Sequence, residues 1–168
     1  MYNNNDLTKM KANIFIENPK GSHNKYELDK ETNKIMLDRV LHSAVYWPFE
    51  YGFIEDTLAD DGDPLDVVVL SESPTFPGCT VPCRIVGMLN MEDEAGLDYK
   101  IIAVPDDKID PRFKEILDIS DVGEHQRKII QEFFETYKRL EVGKWVKITG
   151  FESREIAENI IEKSRINK

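Results

Sequence analysis

Through the first two-thirds of the chain, apolar residues alternate with polar ones or gather in short runs, broken by turn-forming residues. "NIFIEN" (13–18), "KYELD" (25–29) and "KIMLDRV" (34–40) read as strands separated by the turns "GSHN" and "KETN". "PLDVVVL" (64–70) holds four apolar residues in a row and predicts a strand buried on both faces. "CRIVGMLNM" (83–91) and "YKIIAVP" (99–105) follow, joined by "EDEAGLD". The period then changes. In "GEHQRKIIQEFFETYKRL" (123–140), Ile129, Ile130, Phe133, Phe134, Tyr137 and Leu140 recur at helical spacing, and Gly143 is the expected stop. "KWVKITGF" (144–151) predicts one more strand. "SREIAENIIEKSRI" (153–166) predicts a closing helix capped by Ser153, with Ile156, Ile160 and Ile161 on one side. Many short strands with helices added late predict an α+β domain built on a small closed or partly closed β-barrel.

Composition narrows what such a domain can do. At 168 residues the chain fits one domain, 1–168, with a real core; residues 1–10 form a polar leader. The net charge of −10 repels nucleic acid and anionic lipid, and it suits the collection of divalent cations. "MYNNNDLTKM" lacks the apolar stretch of a signal peptide, and no run approaches a membrane span. Cys79 and Cys83 are the only cysteines. Four residues apart on an extended segment, they stand roughly 13 Å from each other, too far to bridge. Two reduced thiols and a cytoplasmic location are expected.

"ADDGDPLDVVVL" (59–70) runs clustered acids straight into a buried strand. Carboxylates placed there repel one another and lose hydration, so something must compensate them. Gly62 and Pro64 break the strand phase, which lets Asp61, Asp63 and Asp66 converge on one point. Oxygen-only ligands of this kind suit Mg²⁺, Mn²⁺ or Ca²⁺. A solvated Asp-rich turn is the plain alternative. A calcium EF-hand is excluded, because the position that should be Gly is Asp66. "MEDEAGLDYK" adds a second acidic pair, Asp93 and Asp98, on either side of a Gly-containing turn. Lys100 leaves the strand on the same face as Asp98. Two acid clusters could hold more than one metal, the arrangement that activates a water and clamps phosphoryl oxygens. Candidate phosphate ligands are Lys25 beside Glu27, Arg39, Tyr51, Tyr137 and Lys138; each alone also reads as solvated surface or plain core.

Taken together, the blocks "KYELDK", "YGFIEDTLADDGDPLDV", "VGMLNMEDEAGLDYKIIAVP" and "FFETYKRLEVGKWVKITGF" resemble a family I soluble inorganic pyrophosphatase of the bacterial type. The signature D-G-D-P-hydrophobic-D stands here as Asp61-Gly62-Asp63-Pro64-Leu65-Asp66, and the resemblance runs from about Ile14 to the C-terminal helix. It implies an OB-like five-stranded barrel flanked by helices, and Mg²⁺-dependent hydrolysis of pyrophosphate to two phosphates. Under it, Asp61, Asp66, Asp93 and Asp98 are direct metal ligands, and Asp63 takes the proton of the attacking water. Glu17 and Glu27 are second-shell or water-mediated metal partners. Lys25, Arg39, Tyr51, Lys100, Tyr137 and Lys138 hold the phosphates. It also implies a homo-oligomer, usually a hexamer. One position departs: the family often has Tyr where this chain has Trp47 before Pro48, and an indole offers N–H but no hydroxyl. Two rivals are an OB-like module for single-stranded nucleic acid and a Mg²⁺-dependent phosphohydrolase for organic phosphates. The negative charge opposes the first. The second finds no Glu-rich Nudix helix and no Walker-type loop.

Overall fold

One strand that pairs on both its edges closes the sheet into a barrel. In the computed structural model, which describes residues 9–166, the strands are β1 (Lys11–Asn18), β2 (Asn24–Asp29), β3 (Lys34–Val40), β4 (Glu50–Ile54), β5 (Asp66–Val69), β6 (Thr80–Asp93), β7 (Gly96–Leu97), β8 (Lys100–Pro105) and β9 (Val146–Ser153); the helices are α1 (Glu124–Thr136) and α2 (Arg154–Ser164). The first eight residues of the predicted leader lie outside the described residues. β1 is antiparallel to both β4 and β6, and β5 runs parallel to β8. The closed order is therefore β1-β4-β5-β8-β6, with β7 and β9 added on β6 and β2–β3 standing apart as a hairpin. The crossing of β4 over β1 is tight: a Cβ on Gly52 would sit 1.8 Å from the Phe15 carbonyl oxygen.

The core divides into two clusters, and the division shows which is inside. Ile14, Ile16, Ile54, Val67, Val69, Ile85, Ile101 and Ala103 come from all five barrel strands and pack with Ala157 and Ile161 of α2, so they fill the barrel. The other cluster takes nothing from β1. It packs Tyr51, Val68, Leu70, Ile102 and Val104 with Trp47 and Phe49 beneath Ile130, Phe133 and Phe134 of α1. Val67 to Leu70 thus alternate between two buried layers, as the unbroken apolar run predicts.

The structure corrects the pattern in three places. β4 was not foreseen, because Glu50 and Gly52 interrupt its apolar period. α1 ends at Thr136, not at Gly143, which lies in the following loop at φ +78°. Tyr137 still bonds back to the Phe133 carbonyl and stays on the buried stripe, but the chain turns away from Lys138 on, and Ile129 and Leu140 are exposed. Ser153 caps α2 as predicted, its side chain accepting from the Ile156 N–H, while the Ile156 side chain faces outward. Cys79 and Cys83 are both free, and burial inside the barrel pushes the Cys83 thiol far above its usual range. Among the described residues no helix is long and apolar enough to cross a membrane.

Candidate active site

The acids reach one place because strand ends deliver them there. Val67 lies opposite Ile101 in the parallel pair, which sets Asp66 and Lys100 side by side at the N-terminal ends of β5 and β8. Both share the phase of the outer cluster, so they emerge beside Tyr51 of β4 and the end of α1. The turn after β6 brings Asp98 back, its N–H donating to the Met91 carbonyl at 2.8 Å. A cavity of about 260 Å³ results, lined by Glu17, Lys25, Glu27, Tyr51, Asp61, Asp63, Asp66, Asp98, Lys100 and Tyr137. Arg39, Asp93 and Lys138 are the candidates outside its wall.

Lys100 is the centre of this arrangement. Its ammonium is buried and donates to Asp66 Oδ2 at 2.8 Å, Asp98 Oδ2 at 2.9 Å and Tyr51 Oη at 2.8 Å. Burial works against its charge, but Asp66, Tyr51 and Asp98 outweigh that and hold it protonated. Burial pushes Tyr51 well up, and Asp66 adds to this, so the phenol stays neutral. Burial also raises Asp98, with the charge of Asp66 in the same direction, against the pull of Lys100. Burial pushes Glu17 up to about 7, although its carboxylate accepts the Leu28 N–H at 2.8 Å.

A second buried lysine repeats the pattern. Lys138, just past α1, donates to Asp93 Oδ2 at 2.9 Å and reaches Glu94 at 3.3 Å. Burial opposes its charge, and Tyr137, Asp93 and Glu94 restore it. Glu94 was missed by sequence reasoning. Its partial burial is outweighed by its own N–H, Lys144, the Trp145 N–H and Lys138, which hold its carboxyl down to about 2. Asp93 joins the main cavity through its charge, which raises Asp98.

The β2–β3 hairpin supplies the remaining cations. Lys25 and Arg39 are cross-strand partners, so both leave the same face. A bulge beside Lys25 turns Asp38 to that face as well, where it pairs with Lys25 and Arg39. Lys25 also pairs with Glu27. At the hairpin tip Lys30, another residue not foreseen, sits 3.0 Å from Asp63 Oδ1. Gly62 at φ +86° turns the chain so that Asp61 Oδ1 accepts the Asp63 N–H at 2.9 Å. Among the described residues no three His, Cys, Asp or Glu side chains are gathered as a metal-binding set. Lysines stand between the acids. Trp47 is buried, stacks on Tyr51 with ring centroids 4.8 Å apart and gives its N–H to the Asn24 carbonyl at 2.9 Å. It supports Tyr51 from behind.

The sequence and its fold have close relatives. The family model described as inorganic pyrophosphatase matches residues 14–167. The inorganic pyrophosphatase of Campylobacter jejuni is 50% identical over 154 residues, covering 92% of this chain and 90% of its own. That of Aquifex pyrophilus is 51% identical over 150 residues, covering 89% and 85%. Among solved structures, the inorganic pyrophosphatase of Helicobacter pylori superposes with a TM-score of 0.90 at 50% identity, over 92% of this chain and 91% of that one. The Thermus thermophilus inorganic pyrophosphatase gives 0.89 at 50% identity, over 92% and 88%.

Proposed function

The chain belongs to the inorganic pyrophosphatase family, and from that premise we propose that it hydrolyses pyrophosphate to two phosphates in this cavity, using Mg²⁺ and a water deprotonated by Asp63. The observation that carries the reading is the wall itself: Asp61, Asp63, Asp66 and Asp98 share one small cavity with Lys25, Tyr51, Lys100 and Tyr137. Acids for a hard cation and donors for phosphate oxygens are both needed, and both are there. The donor set fits Mg²⁺, being oxygen only. Asp61, Asp66 and Asp98 would hold it in the cavity, and Asp93 beside them; Lys100 holds one oxygen each of Asp66 and Asp98 and competes for those. The chemistry a Mg²⁺ ion would supply at these acids is a lowered pKa for a nearby water and relief of charge on the phosphoryl oxygens.

The rest is the work of the chain. The Asp63 side chain is well exposed and its one partner among the described residues is Lys30, so its carboxylate is open to accept a proton from the attacking water. The water oxygen forms the new bond to phosphorus. The bridging P–O bond breaks, and its electron pair leaves with the second phosphate. Protonated Lys100 and the neutral phenol of Tyr51, together with Tyr137, Lys25, Arg39 and Lys138, donate to the phosphate oxygens and stabilise the charge that builds on them. Glu17 and Glu27 orient water around the acids.

We also read the chain as a cytoplasmic homohexamer. Supporting this are the two free cysteines and the exposed apolar residues Ile35, Met36, Leu37 and Val40 of β3. Light scattering should give six times the chain mass; a monomer would refute the assembly. The activity is tested by phosphate release from pyrophosphate, ATP and a sugar phosphate, with Mg²⁺ or with chelator. Pyrophosphate with Mg²⁺ should be strongly preferred and chelator should abolish release. Comparable turnover of ATP in Mg²⁺ would overturn the substrate.

A further inference from the structure

Arg39 stands outside the cavity wall, yet its guanidinium is gripped from two sides. Nη1 bonds to the Asp38 carboxylate, and Nε lies 3.1 Å from Glu141 Oε1. Glu141 has no local reason to be there. It sits on the turn after α1, its side chain only 11% exposed, with its N–H donating to the Lys138 carbonyl at 3.0 Å. The contact to Nε is off-axis: Arg39 Nε and Glu141 Oε2 are both buried and neither makes a hydrogen bond. A purely structural ion pair gains most when both carboxylate oxygens are satisfied, and a buried oxygen left unmet costs stability. Here the carboxylate faces the guanidinium edge without completing a fork-to-fork pair. Nη2 donates no hydrogen bond among the described residues, and Arg39 shares its hairpin face with Lys25, which lines the cavity.

We infer that Glu141 is a positioning residue for Arg39. Its carboxylate charge, 3.1 Å from Nε, holds the guanidinium from that edge while Asp38 binds Nη1, and this leaves Nη2 as the donor for a substrate phosphate. The turn that carries Glu141 also sends Tyr137 into the cavity and Lys138 to Asp93. Movement of this one turn therefore shifts three donors together. The inference rests on the reading of Arg39 as a phosphate ligand, and it adds a residue that touches neither substrate nor metal.

The test is a double-mutant cycle on steady-state kinetics with pyrophosphate in Mg²⁺, using Arg39→Ala, Glu141→Gln and the pair, with melting curves for each. Arg39→Ala should lower kcat/KM by about tenfold or more, since it removes a charge-assisted donor. Glu141→Gln should reproduce most of that loss and move the same constant, KM or kcat. In the Arg39→Ala background it should add less than about twofold, because nothing is left to position. Glu141→Asp should recover part of the loss. Losses that multiply, or a Glu141→Gln enzyme equal to wild type, would overturn the inference. So would a Glu141→Gln melt below the assay temperature, which would assign Glu141 to the fold. A silent Arg39→Ala would overturn both the inference and the phosphate role of Arg39. A wild-type enzyme inert on pyrophosphate would instead sink the proposed activity.

Discussion

Lys100 and Lys30 each set an ammonium on an aspartate of the 59–70 segment, 2.8 Å from Asp66 and 3.0 Å from Asp63. By distance the two pairs are alike. By surroundings they are opposites, since the Lys100 side chain is 2% exposed and the Lys30 side chain 54%. Water and salt screen the outer pair, which is a contact of convenience. In the inner pair the lysine has no water to fall back on, so its ammonium is costly without the aspartates that hold it. One acidic run therefore has an inner half welded to the fold and an outer half free for chemistry. That matches the roles proposed for Asp66, a metal ligand, and Asp63, the proton acceptor.

The largest effect should come from breaking the inner half. Lys100→Met leaves the half-buried carboxylates of Asp66 and Asp98 facing each other without their shared cation, and stability should fall by about 2–4 kcal/mol in urea melts, water in the cavity taking up part of the cost. A cost under about 1 kcal/mol would erase the difference between the two halves. Next comes Glu17, behind the inner acids, with a folded value of about 7 against 4.5 for the free side chain. Between those values the folded chain keeps a proton that the unfolded chain has released. Stability should fall as pH rises from about 4.5 to about 7 and then level off. In chelator at pH 8, Glu17→Gln should be the more stable protein by as much as about 3 kcal/mol, and at pH 4 the two should match. A Gln variant with an unchanged pH slope would remove Glu17 from the buried set. Lys138, buried like Lys100 but tied to Asp93 and Glu94, tests whether the pattern is general. Lys138→Ala should lower kcat/KM by roughly tenfold to a hundredfold. Wild-type kinetics would make it structural only. Lys30→Ala is the smallest: a stability change under about 1 kcal/mol, and none at 1 M salt. A larger loss would mean that the outer half is not free.

Much of this was legible before the structure. The unbroken run Val67 to Leu70 told of two buried faces, and Asp98 and Lys100, two residues apart, told of a shared face now seen as a 2.9 Å contact. The D-G-D-P-L-D signature carried the family and its barrel. Counter-ions were not legible. Lys30, Glu94 and Glu141 meet their partners across long stretches of chain, and only the fold brings them together. Asp38 adjoins Arg39 in sequence, but alternation would have turned it away had the bulge at Lys25 not reversed it. The end of α1 was misplaced for a related reason: Tyr137 keeps the stripe, but the tight turns that follow carry Lys138 to Asp93 and Leu140 to solvent, so an apolar residue at helical spacing was no guide to helix.

Roles within the acidic run are tested most directly by a Mg²⁺ titration of kcat for Asp66→Asn and Asp63→Asn, with Mg²⁺ affinity measured by calorimetry. Asp66→Asn removes a formal charge from the inner set, so affinity should fall and activity should recover in part at high Mg²⁺. Asp63→Asn should bind Mg²⁺ nearly as wild type does and lose about 10²–10⁴-fold in kcat, with no recovery at any Mg²⁺ concentration. Rescue of Asp63→Asn by Mg²⁺, with Asp66→Asn left inert, would contradict the assignment of the inner acid to metal and the outer one to the proton.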